Sequence, residues 1–202
     1  EQKKGMWSGD NLVLYDDGRL GPRTGFTGLP NGTLDAVVQT QTEAVGYADV
    51  DNATWIVYSG TNVYTWDESG SGQWRTGTAA PGTAAAGTRS VFVRTAPGVN
   101  YLLTPGNALH SCTHIGNAAA TVTAITTSVF TSLGDAACLY RERMYVADDG
   151  VSTASRVRYS AANDYTSWSA DDYFDVGNES PIAWMGWSGD RLIIVKRNME
   201  LW

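Results

Sequence analysis

A chain of 202 residues with 43% apolar and 17% charged residues has enough hydrophobic side chains to bury a core, so its composition excludes an intrinsically disordered protein. The longest apolar runs, such as Leu192 to Val195, are far shorter than the roughly 20 residues of a membrane-spanning helix. The formal net charge of -7 argues against tight binding to phosphate groups, because such binding depends on Lys and Arg.

Short strands and turns follow one another along the sequence. Runs rich in β-branched and aromatic residues are bounded by Gly, Asn, Asp and Ser, and almost no stretch has apolar residues at helical spacing. This pattern predicts an all-β fold. Five two-strand units recur, and they begin at Asn11, Thr54, Asn100, Arg143 and Arg191. Their starts lie 43, 46, 43 and 48 residues apart, which is the spacing of four-stranded β-propeller blades.

We therefore expect one domain over residues 1–202, a β-propeller-like array of short antiparallel sheets. Residues 75–90 are rich in Gly, Ala and Thr and predict a long surface loop, whereas residues 117–132 predict one or two strands with an exposed face. A closed propeller has about four to eight blades. The fifth unit reaches Trp202 just after its second strand, so either the N-terminal strands or further chain would complete it, and we favour further chain.

Tight turns connect the paired strands where Gly, Asn or Asp tolerates a positive φ. They are predicted at residues 59–62, 105–107 and 148–150.

Six tryptophans lie in or beside the predicted strands, and each would remove a large apolar area from water if it were buried. We interpret them as wedges between neighbouring sheets, with stacking on a carbohydrate as the alternative for some of them. They are Trp55, Trp66, Trp74, Trp168, Trp184 and Trp187.

One group of residues has the side chains of a metal site. His110, Cys112 and His114 lie two residues apart, so on a strand all three share one face. With Cys138 as a distant fourth ligand they would suit zinc, but we favour three semi-polar residues on a half-buried strand and predict neither a metal nor a cofactor. Two cysteines are too few for a disulfide framework, and we expect both to be reduced.

The carboxylates are grouped in three short stretches. Asp16–Gly18 and Asp148–Gly150 are explained as hairpin turns, whereas the acidic loop Asp171–Asp175 is a candidate for calcium. The sequence contains no nucleophile elbow, phosphate loop or zinc-protease motif, so we predict no catalytic residues and no enzyme.

The C-terminal fifty residues contain an ordered set of motifs. A strand with Arg and Tyr is followed by a Trp, an aspartate-containing strand that ends in Gly, and a Gly-Asp turn into an apolar strand. Its residues are Arg156, Tyr159, Trp168, Tyr173, Asp175, Gly177, Gly189, Asp190 and Arg191. Together with GRLGPRTGF from Gly18, this order resembles the repeat of the tail nozzle and packaged-DNA stabilisation proteins of short-tailed bacteriophages.

The resemblance implies a structural virion protein of the phage tail. Such proteins contain a propeller and assemble as a homo-oligomeric ring, commonly of six copies, below the portal and adaptor. The expected partners are the head-to-tail adaptor, tail fibre or spike proteins, and double-stranded DNA that passes without sequence-specific binding. In this repeat Trp168 and Tyr173 would be wedges, and Arg156 and Arg191 would pair with aspartates of the neighbouring strand.

Two other classes of propeller remain open. Residues 160–168 (SAANDYTSW) are similar to the Asp box of sialidases, which favours a carbohydrate-binding or sialidase-like propeller as the alternative. The box lacks its central Gly, and Asp164 lies one residue too close to Trp168. A cellular protein-interaction propeller is weakly indicated by a single Trp-Asp pair at Trp66.

Overall fold

In the computed structural model, the described residues form sixteen β-strands, all of them in antiparallel pairs. The predicted all-β class is confirmed, as is the array of short antiparallel sheets. No helix in this part of the chain is long and apolar enough to cross a bilayer. The structure describes residues 12–14, 20–22, 45–49, 54–59, 61–67, 73–82, 90–96, 98–105, 108–114, 118–125, 128–130, 133–148, 153–198 and 201–202.

Three sheets have four strands each, and in every one the strands are neighbours in chain order, as in a propeller blade. Sheet 1 contains β3 (Val45–Asp49), β4 (Thr54–Ser59), β5 (Asn62–Asp67) and β6 (Gln73–Thr76). Sheet 2 contains β7 (Val91–Ala96), β8 (Val99–Leu103), β9 (Leu109–Thr113) and β10 (Thr121–Ile125). Sheet 3 contains β11 (Leu133–Tyr140), β12 (Arg143–Asp148), β13 (Arg156–Ala161) and β14 (Asp164–Asp175).

Two hairpins flank these sheets in the sequence. The N-terminal hairpin pairs β1 (Leu12–Leu14) with β2 (Leu20–Pro22), and the C-terminal hairpin pairs β15 (Ile182–Ser188) with β16 (Arg191–Lys196). A single bridge between Val195 and Leu201 adds a third chain segment beside β16. The five sequence units therefore lie in five successive sheets or hairpins.

Apolar side chains alternate between the two faces of the strands in sheets 2 and 3, so each of these sheets packs on the sheet before it and the sheet after it. In β8, Tyr101 and Leu103 belong to the core with sheet 3, whereas Leu102 between them belongs to the core with sheet 1. A single four-stranded sheet cannot cover both of its own apolar faces, and stacking covers them.

Each interface between neighbouring sheets has its own core. Sheets 1 and 2 meet through the cluster Ile56, Tyr58, Val63, Leu102, Cys112, Ala120 and Val122. Sheets 2 and 3 meet through Val93, Tyr101, Leu103, Leu109, Ile125, Leu133, Ala137, Met144 and Val146. Sheet 3 and the C-terminal hairpin meet through Ala136, Ala147, Val157, Val176, Ile182, Met185 and Ile194.

The first strands of successive sheets lie side by side. β3 contacts β7, β7 contacts β11, and β11 contacts β15. These strands begin at residues 45, 91, 133 and 182, that is 46, 42 and 49 residues apart. The repeat read from the sequence is therefore the repeat of the sheets, and its units correspond to the second and third strands rather than to the first.

Several predicted connections differ from the structure. The predicted loop at 75–90 begins too early, because residues 73–76 form β6 and pair with β5; residues 83–89 lie outside the described residues. The strands that flank 59–62 and 105–107 pair as the predicted hairpins require, whereas β12 ends at Asp148 and its partner β13 begins only at Arg156. Residues 106–107 and 149–152 themselves lie outside the described residues. Among the described residues of 117–132 there is one strand, β10, with Val122 and Ile125 buried and the threonines exposed.

Candidate functional site

The first candidate residues are those of the motif that begins at Arg156. The Arg156 guanidinium donates from Nε to Asp175 Oδ1 at 2.9 Å and from Nη2 to Oδ2 at 3.3 Å, across the β13–β14 pair. It also lies 3.8 Å from the centre of the Tyr173 ring. Hydrogen bonding to Asp175 raises the pKa of Arg156 further. The expected pairing of Arg156 with a neighbouring aspartate is therefore present, on an exposed part of the sheet.

The other arginine of the motif differs. Arg191 is exposed opposite Ser188, and it makes no ion pair with any residue that the structure describes. The expected pairing of Arg191 with an aspartate is wrong.

Trp168 has the predicted wedge role. Its ring contacts Phe130 edge-on, with centroids 4.8 Å apart, and it packs on the core between sheets 2 and 3. Its indole Nε1 donates to the Tyr165 carbonyl at 3.0 Å. The polar group of this tryptophan is thus satisfied while the apolar part of the ring is half-buried.

Tyr173 is not a wedge. It is 38% exposed, and its ring lies beside the guanidinium groups of Arg156 and Arg158 instead of between two sheets. Tyr159 is half-buried, and its ring centroid lies 5.9 Å from that of Tyr145 and 6.4 Å from that of Phe174. The motif therefore places Tyr159 in an aromatic group and leaves Tyr173 as a cation–π partner.

The two motif glycines occupy left-handed backbone positions. Gly177 has φ 57° and Gly189 has φ 59°, values that side-chain-bearing residues rarely adopt. A Cβ at Gly177 would collide with the Trp202 indole, whereas one at Gly189 would meet nothing. Beside Gly189, the Asp190 carbonyl accepts hydrogen bonds from the Tyr140 hydroxyl and from Arg141 Nη2, which join the β15–β16 turn to the β11–β12 turn.

Two of the six predicted wedges are on the surface. Trp184 is 51% exposed and Trp187 is 61% exposed, because the inward positions of the C-terminal hairpin are taken by Ile182, Met185 and Ile194. Both tryptophans line a cavity between β7, β11 and β15. The wedge prediction is wrong for these two. The side chains of Trp55, Trp66 and Trp74 lie outside the described residues.

The possible zinc ligands are not brought together. His110, Cys112 and His114 are buried, as expected for one face of β9, but Cys112 packs between sheets 1 and 2 whereas Cys138 packs between sheet 3 and the C-terminal hairpin. No group of three His, Cys, Asp or Glu side chains in the described ranges could hold a metal. Burial raises the pKa of both thiols to about 12 and lowers that of His110. Both thiols are therefore protonated near neutral pH and are poor nucleophiles.

The acidic segment 171–175 does not form the loop expected from the sequence. It is the end of the twelve-residue strand β14 rather than a loop, so successive carboxylates point to opposite faces. Asp175 is engaged by Arg156. The calcium loop proposed for these residues is wrong.

The segment similar to an Asp box forms the hairpin between β13 and β14. Asp164 Oδ1 accepts hydrogen bonds from the backbone N of Thr166 at 3.1 Å and from its Oγ1 at 2.7 Å. The hydrogen bond from the Thr166 hydroxyl is the main cause that lowers the pKa of Asp164. This carboxylate therefore stabilises its own turn.

The comparisons with known proteins come back empty. No family model matches this chain, and neither does any curated protein or solved structure. The geometry of the chain and the motifs of its last third are therefore the observations that bear on its function.

Three buried charged side chains, Arg158, Asp148 and Lys196, are not predicted from the sequence. Arg158 Nε donates to Asp148 Oδ2 at 2.9 Å in a buried ion pair across β12 and β13. Lys196 is fully buried, and its Nζ donates to the carbonyls of Val176 and Asn178 and to Asn178 Oδ1. Period-two alternation was the available signal, since Lys196 follows the inward-facing Ile194 by two residues.

Proposed function

We propose that this chain is a structural component of a bacteriophage tail and forms part of a ring or nozzle that continues the DNA exit channel below the portal and adaptor. The observation that carries the proposal is the packing of the C-terminal motif. The Arg156–Asp175 pair ties β13 to β14 within sheet 3, and the Asp190 carbonyl accepts the hydrogen bonds from Tyr140 and Arg141 that join sheet 3 to the C-terminal hairpin. The contacts that these residues make hold strands and sheets in place, which supports a mechanical role.

The arrangement of the sheets supports the same proposal. The first strands β3, β7, β11 and β15 follow one another at blade spacing, so a continuous set of sheets would surround a common axis. A net charge of -7 on 202 residues disfavours lasting contact with DNA phosphates, as a channel for passing DNA requires. A role in retaining and ejecting packaged DNA follows from this position in the tail.

Electron microscopy and native mass spectrometry of the purified full-length protein test the proposal. We expect a symmetric ring with a central tunnel, commonly of six copies, that binds the portal–adaptor complex. A protein that stays monomeric, does not bind the adaptor and hydrolyses a sialoside would contradict the proposal and favour the sialidase-like alternative.

A further inference from the structure

A cavity of about 880 Å³ opens where the first strands of sheet 2, sheet 3 and the C-terminal hairpin approach one another. Its wall is formed by β7, β11 and β15, and its rim by the β11–β12 and β15–β16 turns. The volume lies within the roughly 300–1,000 Å³ that is usual for small-molecule sites.

Two tryptophans of β15 line the cavity. Trp184 lies against the backbone of Gly186, since a Cβ at Gly186 would collide with the six-membered ring of the indole. One face of Trp184 is thus supported by the strand, while 51% of the side chain is open. Trp187, three residues further along β15, lines the same cavity and is 61% open. Large aromatic surfaces left in water beside a cavity mark a binding site more often than a packing defect.

Polar groups are held at the rim by a strained turn. Arg141 and Glu142 have φ values of 44° and 64°, a conformation that residues with side chains adopt at a cost. The turn is fixed by the hydrogen bonds that Tyr140 and Arg141 donate to the Asp190 carbonyl. The Arg141 guanidinium is therefore held at the rim of the cavity, which the Glu142 side chain also lines.

We propose that this cavity binds a saccharide, with a pyranose ring stacked on Trp184 or Trp187 and its hydroxyl groups bonded to Arg141 and Glu142. A pyranose has an apolar face of C–H groups and an edge of hydroxyls that both donate and accept, which matches an open indole beside a guanidinium and a carboxylate. The lining residues include two positive charges, Arg94 and Arg141, and two negative charges, Glu142 and Asp190. This balance of charge disfavours a phosphate ligand, which requires an excess of cations. The inference is independent of the tail proposal.

The experiment is an array of immobilised neutral and uronic-acid-containing oligosaccharides, followed by isothermal titration of the full-length protein with the strongest hit. We expect Trp184→Ala and Trp187→Ala each to weaken that binding by about tenfold. Both side chains are largely exposed, so both variants should fold, as circular dichroism will verify. The matched control is Trp202→Ala, because Trp202 is 55% exposed but does not line the cavity.

Binding that falls in the two cavity variants and persists in Trp202→Ala supports the site, and the neutral and acidic arms of the array identify the type of sugar. Absence of binding to every oligosaccharide at millimolar concentration would overturn the proposal. An equal loss of affinity in Trp202→Ala would overturn it as well. Neither result bears on whether the protein forms a ring, so failure here is distinguishable from failure of the tail proposal.

Discussion

Strand β13 has two arginine–aspartate pairs that differ mainly in burial, and this difference predicts a large asymmetry in stability. Arg158–Asp148 is buried, whereas Arg156–Asp175 is exposed, although the shortest N–O distance is 2.9 Å in both pairs. Replacing Asp148 by Asn leaves the Arg158 guanidinium without a counter-charge in a site that excludes water. Removing one partner of a buried pair costs about 3 to 5 kcal/mol, and removing one partner of an exposed pair costs about 0 to 1 kcal/mol.

The assay is urea unfolding followed by far-ultraviolet circular dichroism, with the slope of the transition checked for a common two-state mechanism. We expect Asp148→Asn to lower the free energy of unfolding by about 3 to 5 kcal/mol and the control Asp175→Asn by at most about 1 kcal/mol. The double variant Asp148→Leu with Arg158→Met should recover most of the loss, because neither charge then remains buried. Equal effects of Asp148→Asn and Asp175→Asn would refute the buried position of the first pair and the packing of that face of sheet 3.

Three further predictions use the same assay. Gly177→Ala should destabilise the protein more than Gly189→Ala, because the new methyl group at Gly177 collides with Trp202, whereas Gly189→Ala costs only about 1 kcal/mol for the left-handed backbone. The difference between the two variants should disappear in the Trp202→Ala background. Equal costs of Gly177→Ala and Gly189→Ala would contradict the contact with Trp202. Lys196→Met should cost about 1 to 3 kcal/mol by leaving buried carbonyls without a donor, and no loss would show that Lys196 is solvated. Because burial raises the pKa of Cys112 from 9.0 to about 12, the folded state keeps a proton that the unfolded state loses above pH 9, so stability falls as pH rises. Wild type should lose up to about 1.4 kcal/mol per pH unit more than Cys112→Ala, and parallel pH profiles would contradict this.

The repeat was readable from the sequence because tight pairing and inter-sheet packing both constrain it. Apolar stretches such as those after Asn100 and Arg143 must alternate to serve two interfaces, and Gly or Asn must stand where the hairpins turn. Both signals lie within short stretches of sequence, so the sequence predicts the spacing of the sheets. The sequence does not predict that the units are the second and third strands, because the first strand β11 is interrupted by Gly134 and the small residues Ala136, Ala137 and Cys138 and does not form an apolar run.

Side-chain environment was harder to predict because it depends on what the neighbouring sheet covers. Trp168 and Trp184 look alike in sequence, yet Trp168 packs with Phe130 on the core between sheets 2 and 3, whereas Trp184 is 51% exposed. The segment 171–175 was read as a loop on account of its charge, but pairing with β13 extends it as a strand. The cavity at Trp184 combines three strands that are distant in sequence, so no local pattern could indicate it.

From sheet 1 to the C-terminal hairpin, each sheet packs on the next in chain order. Methyl nuclear Overhauser spectroscopy tests this stacking most directly. We predict cross-peaks between the methyl groups of Leu103 or Leu109 in sheet 2 and those of Met144 or Val146 in sheet 3. The methyl group of Ile56 in sheet 1 should show contacts to sheet 2 and none to Ile194 in the C-terminal hairpin. Direct Ile56–Ile194 cross-peaks, or the absence of every peak between sheets 2 and 3, would contradict the stacked arrangement.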